Sequence, residues 1–374
     1  MKRLLYIVPA MLVGSILPGA GFWGPVVLLV GLIFFHEMGH FLVAKWMGMP
    51  VEVFSLGFGP RVAGFSWNET DVRLSLLPLG GYVRLAGYNP EEPNAQDPNG
   101  FLAQPAWKRL FFYAGGILAN ILITVVIFFF MGLDEARITD KHPVPTPLQI
   151  VEVTPGSAAA EAGLQSGDQI RSFGALSFPG SKSEEAIAYI QARPGTAIPV
   201  ILERDGATRT LQVVPKNEGG KGKLGVYFDV SNWIYQRRPF QFKDLGTGGK
   251  LAVVGSAKLG YEILGNFGKL ITHKVSLKEV GGPITIVRAG SRAAKAGLMQ
   301  FLFLTALISM NLAVLNALPI PFLDGGHAAI LVIERLRGKD LSVGVKERIL
   351  QGGFLFLASL MAMVIALDIL KLRS

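Results

Sequence analysis

Residues 24–40 read GPVVLLVGLIFFHEMGH and close a run, 4–35, that holds no charged residue. A stretch of that make-up suits hydrocarbon, where a helix needs about 20 apolar residues to cross. Three further stretches without Asp, Glu, Lys or Arg, at 110–133, 296–323 and 349–367, are long enough for the same purpose. Half of the 374 residues are hydrophobic and only 17% are charged. This composition is far from that of an ordinary soluble protein and predicts a multi-span α-helical membrane protein with about four core transmembrane helices. The first run exceeds one span but falls short of two, so residues 4–22 read as an extra short or re-entrant segment, with LPGAGFWG at 17–24 turning the chain. No small-x-small site marks them as a cleaved signal peptide.

The net charge of +9 is spread along the chain without a Lys/Arg-rich run, which argues against a nucleic-acid partner. Basic residues do gather at membrane boundaries, at Lys108 and Arg109 and again between Arg335 and Arg348. The positive-inside rule then places 45–109 and 324–348 in the cytoplasm and, by parity, 134–295 outside. With no cysteine there is neither a disulfide framework nor a thiolate metal site.

Between the first two spans, residues 51–85 alternate as in Val51, Val53 and Ser55 against Glu52, Phe54 and Leu56, with a turn at Trp67-Asn68-Glu69-Thr70. This pattern predicts a membrane-associated β-hairpin loop. The outer segment opens with IVEVTPGSAAAEAGLQSGDQIRSFGALSF at 150–178, an order of strand, Pro-Gly turn, short Ala-rich helix and strand that resembles a PDZ domain. Such domains add extended peptides to a sheet edge, so peptide contact is one reading and a spacer or steric filter the other. The expected organisation is 1–48 N-terminal membrane segments, 49–107 β-loop and connector, 108–133 span, 134–228 extracytoplasmic PDZ domain and 229–295 amphipathic membrane-proximal region. It continues with 296–330 as a span, 331–348 as a cytoplasmic loop and 349–370 as a span.

His-Glu-x-x-His on a helix sets His36 and His40 one turn apart on one face, the spacing that binds a single zinc ion, with Glu37 beside them to accept a proton from water. Ionisable groups in a membrane segment are expensive, which favours function over packing. A catalytic zinc wants a third protein ligand, and Asp324, the only acid in NLAVLNALPIPFLDGGH, lies at the same predicted boundary. His327 competes for that role but suits a supporting one better, and His142 and His273 fall on the opposite side. Pro319 and Pro321 break the helix ahead of Asp324, freeing backbone groups that need partners. Asn311 and Asn316 either hold a peptide main chain or bond between helices.

HEMGH, SLGFGP, LPLGGYVRL, GGILAN, GGPITI and NLAVLNALPIPFLDGGH together resemble the site-2 protease family of intramembrane zinc metalloproteases, of the bacterial type that regulates sigma-E. The resemblance implies Zn2+ held by His36, His40 and Asp324, Glu37 as general base, and substrate contact by Asn316 with Asn311, Pro319 and Pro321 around it. It also implies that the β-loop pairs with unwound substrate as an added strand. The implied partners are the lipid bilayer and single-span membrane proteins, anti-sigma factors or signal-peptide remnants, in a bacterial inner membrane. Relatives of the sigma-E type carry two PDZ domains in tandem, whereas 134–295 has room for one. Two rivals come from other classes. A silent membrane-anchored PDZ adaptor would show a damaged HEMGH or Asp324, and a zinc transporter would show ionisable residues along several spans.

Overall fold

The computed structural model describes residues 23–89, 97–143, 148–178, 183–228, 233–272 and 281–373. The extra segment expected at 4–22, most of the connector beyond Tyr88, and His273 lie outside them. The described residues fall into two compact units, one drawn from residues up to Ala136 with Gln241–Val364, the other from Arg137–Phe240 with the chain end from Ile365.

Among the described residues, four stretches are helical, long and apolar enough to cross a membrane: Leu28–Trp46, Ala106–Arg137, Leu298–Ala317 and Val343–Leu370. They fall where the uncharged runs predict them. Helix α1 (Trp23–Trp46) stops because Gly48 takes the left-handed conformation, φ 74°. The amide of Met49 then reaches back to Ala44 O and that of Gly48 to Lys45 O, the paired bonds of a Schellman cap. Met49 and Ala44 are both buried, supplying the apolar contact that accompanies such a cap.

Strands β1 (Val51–Trp67) and β2 (Thr70–Leu85) join through Asn68 and Glu69, both at positive φ, the geometry of a two-residue hairpin turn. Each strand folds back on itself, so the hairpin is a sheet of four extended segments. Phe54 pairs with both Val72 and Val83, and Ser55 with both Arg73 and Tyr82, while Val72 and Arg73 also pair with Phe65 and Gly64. Residues 81–85 and 61–67 therefore form the two edges. The inner segments bury Val51, Phe54, Leu56 and Val72 against Phe34 and Phe41 of α1. Phe58, Val62, Leu76 and Leu77 at the far end stay exposed.

Helix α2 (Ala106–Arg137) has two stripes with a four-residue repeat. Phe112, Gly116, Asn120, Thr124, Phe128 and Gly132 are buried. Leu118, Leu122, Val126 and Phe130 are exposed. Small and polar groups face the protein and large apolar ones face outward, the reverse of a water-soluble helix, as expected where lipid is the solvent.

The second unit contains β3 (Ile138–Pro143), β4 (Leu148–Val153), α3 (Ala158–Glu161), β5 (Gln169–Phe173), β6 (Leu176–Ser177), α4 (Ser183–Gln191), β7 (Ile198–Arg204) and β8 (Ala207–Val213). It closes with β9 (Lys216–Glu218), β10 (Lys221–Lys223), β11 (Val226–Phe228) and β12 (Trp233–Arg237). The main sheet runs β11-β4-β5-β7-β8, and β3 pairs with β12 as a separate ribbon. Strand β7 shows the period-2 pattern of a half-buried strand, with Ile198, Val200 and Leu202 turned into a core shared with Ile150, Ile170 and Phe173.

Back in the first unit, α5 (Asp244–Lys250), a π-helical turn at Leu251–Gly255 and α6 (Ser256–Ile271) fill part of the region expected to be amphipathic. Gly248 lets them approach α2, since a methyl group on Gly132 would stand 3.0 Å from its Cα. Then come α7 (Pro283–Ala296), α8 (Leu298–Ala317), α9 (Asp324–Arg337) and α10 (Val343–Arg373). The stretch expected as one span at 296–330 is thus two helices, α8 and α9, with a loop between them.

In the second unit Arg204 donates from Nε and Nη2 to the two carboxylate oxygens of Asp168 at 2.6 and 2.7 Å, and Asp168 also accepts the Gln165 amide at 2.8 Å. Asp168 is 1% exposed. Breaking a buried pair costs roughly 3–5 kcal/mol, and the partial exposure of Arg204 puts the expected loss at about 3. Asp168→Ala in the full chain should cut hydrogen-exchange protection in β5 and β7 by about 100-fold, while α1 and α2 keep theirs. Unchanged protection in β5 would show the pair to be dispensable.

Candidate active site

Helix α1 brings His36 and His40 together one turn apart, and the start of α9 brings Asp324 to them. His36 Nε2 lies 3.3 Å from His40 Nε2, and Asp324 Oδ2 lies 3.3 Å from the first and 3.2 Å from the second. Tetrahedral zinc with N and O ligands at about 2.0–2.1 Å requires ligand–ligand edges of about 3.3 Å, so the triangle has the size of a zinc site's face. Asp324 Oδ2 is buried without a hydrogen-bond partner, as an oxygen reserved for a cation would be. These three form a metal-capable cluster.

The ring nitrogens turned away from the triangle are held from α2. His40 Nδ1 lies 2.7 Å from Phe112 O, so Nδ1–H donates to the carbonyl and Nε2 keeps its lone pair for a metal. His36 Nδ1 lies 3.1 Å from the Asn120 side-chain amide. With that amide turned so that its oxygen faces the ring, it accepts Nδ1–H and leaves Nε2 free in the same way. Asn120 is fully buried, and Ser309 on α8 donates to its backbone carbonyl at 2.8 Å. Close approach of the helices makes these bonds possible. A methyl group on Gly39 would stand 2.2 Å from Gly115 O, and one on Gly116 would stand 2.4 Å from His40 Nε2.

Asp324 depends on an irregular backbone. Helix α8 ends at Ala317, Leu318 is extended, and Phe322 takes φ 83°, a left-handed conformation that a bulky residue rarely adopts. The loop folds back over the start of α9, where Cβ atoms on Gly325 and Gly326 would lie 2.4 Å from Leu318 O and 2.1 Å from Ile320 O. The DGG sequence is therefore a steric requirement.

The triangle and Glu37 open onto a cavity of about 260 Å³ lined also by Gly81, Tyr82, Asn316 and Phe322. Glu37 lies beneath the sheet edge, since a Cβ on Gly81 would stand 2.7 Å from its Cγ. His327 lines the cavity without joining the triangle, and its ring stacks on Tyr113 with centroids 5.3 Å apart. Asn311 and Pro319 are exposed, and neither they nor Pro321 line the cavity. Sequence reasoning assigned no role to Asn120, Gly116 or the Phe112 carbonyl. The available signal was GGILAN itself, an amide and paired glycines inside an uncharged span.

Outer-sphere partners of zinc-bound histidines are commonly worth 10–100-fold in metal affinity. Asn120→Ala should weaken zinc binding by about that factor in a chelator competition, and Gly116→Ala, whose methyl would enter the triangle, should weaken it further. Zinc affinity unchanged in Asn120→Ala would remove the amide from the site.

The sequence model of Peptidase family M50 matches residues 25–360. A protein of Agrobacterium fabrum, provisionally named a zinc metalloprotease, is 32% identical over 94% of this chain and 96% of its own length. The zinc metalloprotease RasP of Geobacillus kaustophilus is 29% identical over 92% of this chain and 97% of its own length. A similarly named protein of Campylobacter jejuni is 30% identical over 100% of this chain and 99% of its own. With a match over most of its length and a zinc-sized triangle of His36, His40 and Asp324, the chain belongs to peptidase family M50, the site-2 protease family, and is a membrane-embedded zinc metalloprotease.

Proposed function

We propose that this protein cleaves single-span membrane proteins within or beside the bilayer, after another protease has trimmed their outer domain. The observation that carries the reading is the His36–His40–Asp324 triangle opening, with Glu37, onto a cavity inside the helical unit. Zinc held there supplies a Lewis acid that polarises the scissile carbonyl and lowers the pKa of water toward neutrality. Glu37 takes a proton from the attacking water and delivers it to the leaving nitrogen. The Phe112 carbonyl and Asn120 keep both imidazoles facing the cavity throughout.

A substrate helix must unwind before its carbonyls are accessible. Residues 81–83 of the edge segment line the cavity, and an unwound substrate pairing there as an added strand would offset part of that cost. Asn316, which also lines the cavity, holds the substrate main chain. The exposed apolar end of the sheet, with Phe58, Val62 and Leu76, suits contact with lipid or substrate. The sheet-rich unit acts as a PDZ-type filter on the outer side of a bacterial inner membrane, excluding substrates whose outer domain is intact. Anti-sigma factors and signal-peptide remnants are the fitting substrate classes.

General-base catalysis contributes typically 10²–10⁴-fold, so Glu37→Gln should slow cleavage of a trimmed single-span substrate in detergent by about that factor and leave zinc content unchanged. An untrimmed substrate should be cut more slowly by the full chain. Zinc-loaded wild-type protein that cuts soluble peptides but no single-span substrate would overturn the intramembrane reading.

A further inference from the structure

A second cavity, of about 320 Å³, lies next to the first and shares Tyr88, Tyr113 and His327 with it. Its walls are largely apolar, with Phe101, Leu102, Ile330 and Leu331 among them, and Arg109 lines it as well. Arg109 is 6% exposed, and its Nε has no hydrogen-bond partner. It enters no ion pair among the described residues. Its contact with the Phe101 ring, 5.9 Å from the centroid, cannot satisfy the N–H. Of the other charges of this cavity, two pair with each other and the third is exposed. Glu334 accepts from Lys346 at 2.6 Å and from the Leu341 amide at 2.7 Å, and Glu347 is exposed.

A buried guanidinium N–H without an acceptor is costly, and the position adds to the cost. Arg109 lies in the first turn of α2, which carries no acid, at the end where the helix dipole favours anions and opposes cations. Lys108 beside it is turned elsewhere, bonding Met47 O and Gln104 Oε1, each at 3.1 Å. The cavity therefore combines apolar walls with a buried guanidinium that has no ion-pair partner among the described residues, while Glu347, which also lines it, is exposed. Tyr113 is one turn further along α2 on the same face, about 6 Å along the helix axis from Arg109, and its ring stacks on His327 in the wall between the two cavities.

Peptide hydrolysis transfers the hydroxyl of water to the acyl carbon and hydrogen to the nitrogen. After losing a proton, the acyl side leaves as a carboxylate. We infer that the cavity at Arg109 receives the new C-terminal carboxylate of the cleaved peptide, with that peptide's last apolar side chains against Phe101 and Ile330. The inference rests on the proteolytic reading and extends it to product release. Product held there slows turnover until it leaves, and Arg109 acts one step after bond breaking.

The test uses full-length Glu37→Gln protein in detergent and a fluorescent, N-acetylated apolar hexapeptide ending either in carboxylate or in amide. The carboxylate form should bind at least about tenfold more tightly, as charged hydrogen bonds allow, and should do so equally with zinc bound or stripped by chelator. Arg109→Gln should erase the preference and leave the amide peptide's affinity within about twofold, while Arg109→Lys should keep part of it. Equal binding of the two peptides to the parent would overturn the assignment. So would a preference that vanishes with the zinc, which would put the carboxylate on the metal, or displacement by inorganic phosphate as effective as by peptide. If Arg109→Gln fails to fold, judged by zinc content and monodispersity, the parent and Arg109→Lys decide. Cleavage by wild type is scored separately, so lost discrimination with intact cleavage counts against the Arg109 site alone.

Discussion

At the crossing of α1 and α2 the two backbones touch, because Gly39 and Gly115 leave no side chain between them. The rest of the site follows from that distance. Only at such closeness can the Phe112 carbonyl reach His40 and the Asn120 amide reach His36. The first bond consumes Nδ1–H of His40, the second does the same for His36 when the Asn120 amide presents its oxygen, and each then leaves Nε2 free for a metal. A methyl at either glycine would push α2 outward and release both imidazoles together. Thr124 and Ser309 continue the arrangement, tying α2 to α8 through backbone carbonyls and so linking the histidine helix to the chain that leads to Asp324.

Much of this was legible in the sequence because membrane and metal impose strict composition rules. Four uncharged runs could hardly be anything but spans, and HEMGH on one of them named two ligands by helical spacing alone. The hairpin turn at Asn68 and Glu69 was also readable, since local chemistry determines it. What escaped reading was non-local. Residues 53–56 pair on both sides, with 71–74 and with 81–84, and no periodicity within β1 reports that. The prolines of PIPF announced a break but not its form, a six-residue loop that restarts a helix at Asp324. The partnership of Asn120 with His36 crosses 84 residues and could not be read from either segment alone.

The two cavities share a wall in the Tyr113–His327 stack. The two cavities are thereby divided by aromatic side chains. His327 is placed to hold that partition upright without entering the metal triangle, which accounts for a histidine three residues after Asp324 that is not needed as a ligand. The strained Phe322 lies on the other side of the same acid and meets Phe354 of α10 with centroids 5.3 Å apart. Asp324 thus lies in the chain between a residue of a tilted aromatic pair and one of a stacked pair.

The separation of the ligands along the chain has a consequence in time. His36 and His40 come from the first described helix and Asp324 from the last third of the chain. At about 5–20 residues per second, roughly 280 residues of synthesis separate their emergence, an interval of about 15–60 s. Throughout that interval the nascent chain has two imidazoles but no carboxylate to complete the triangle. The cluster able to hold a metal is therefore complete only when most of the chain has already been made.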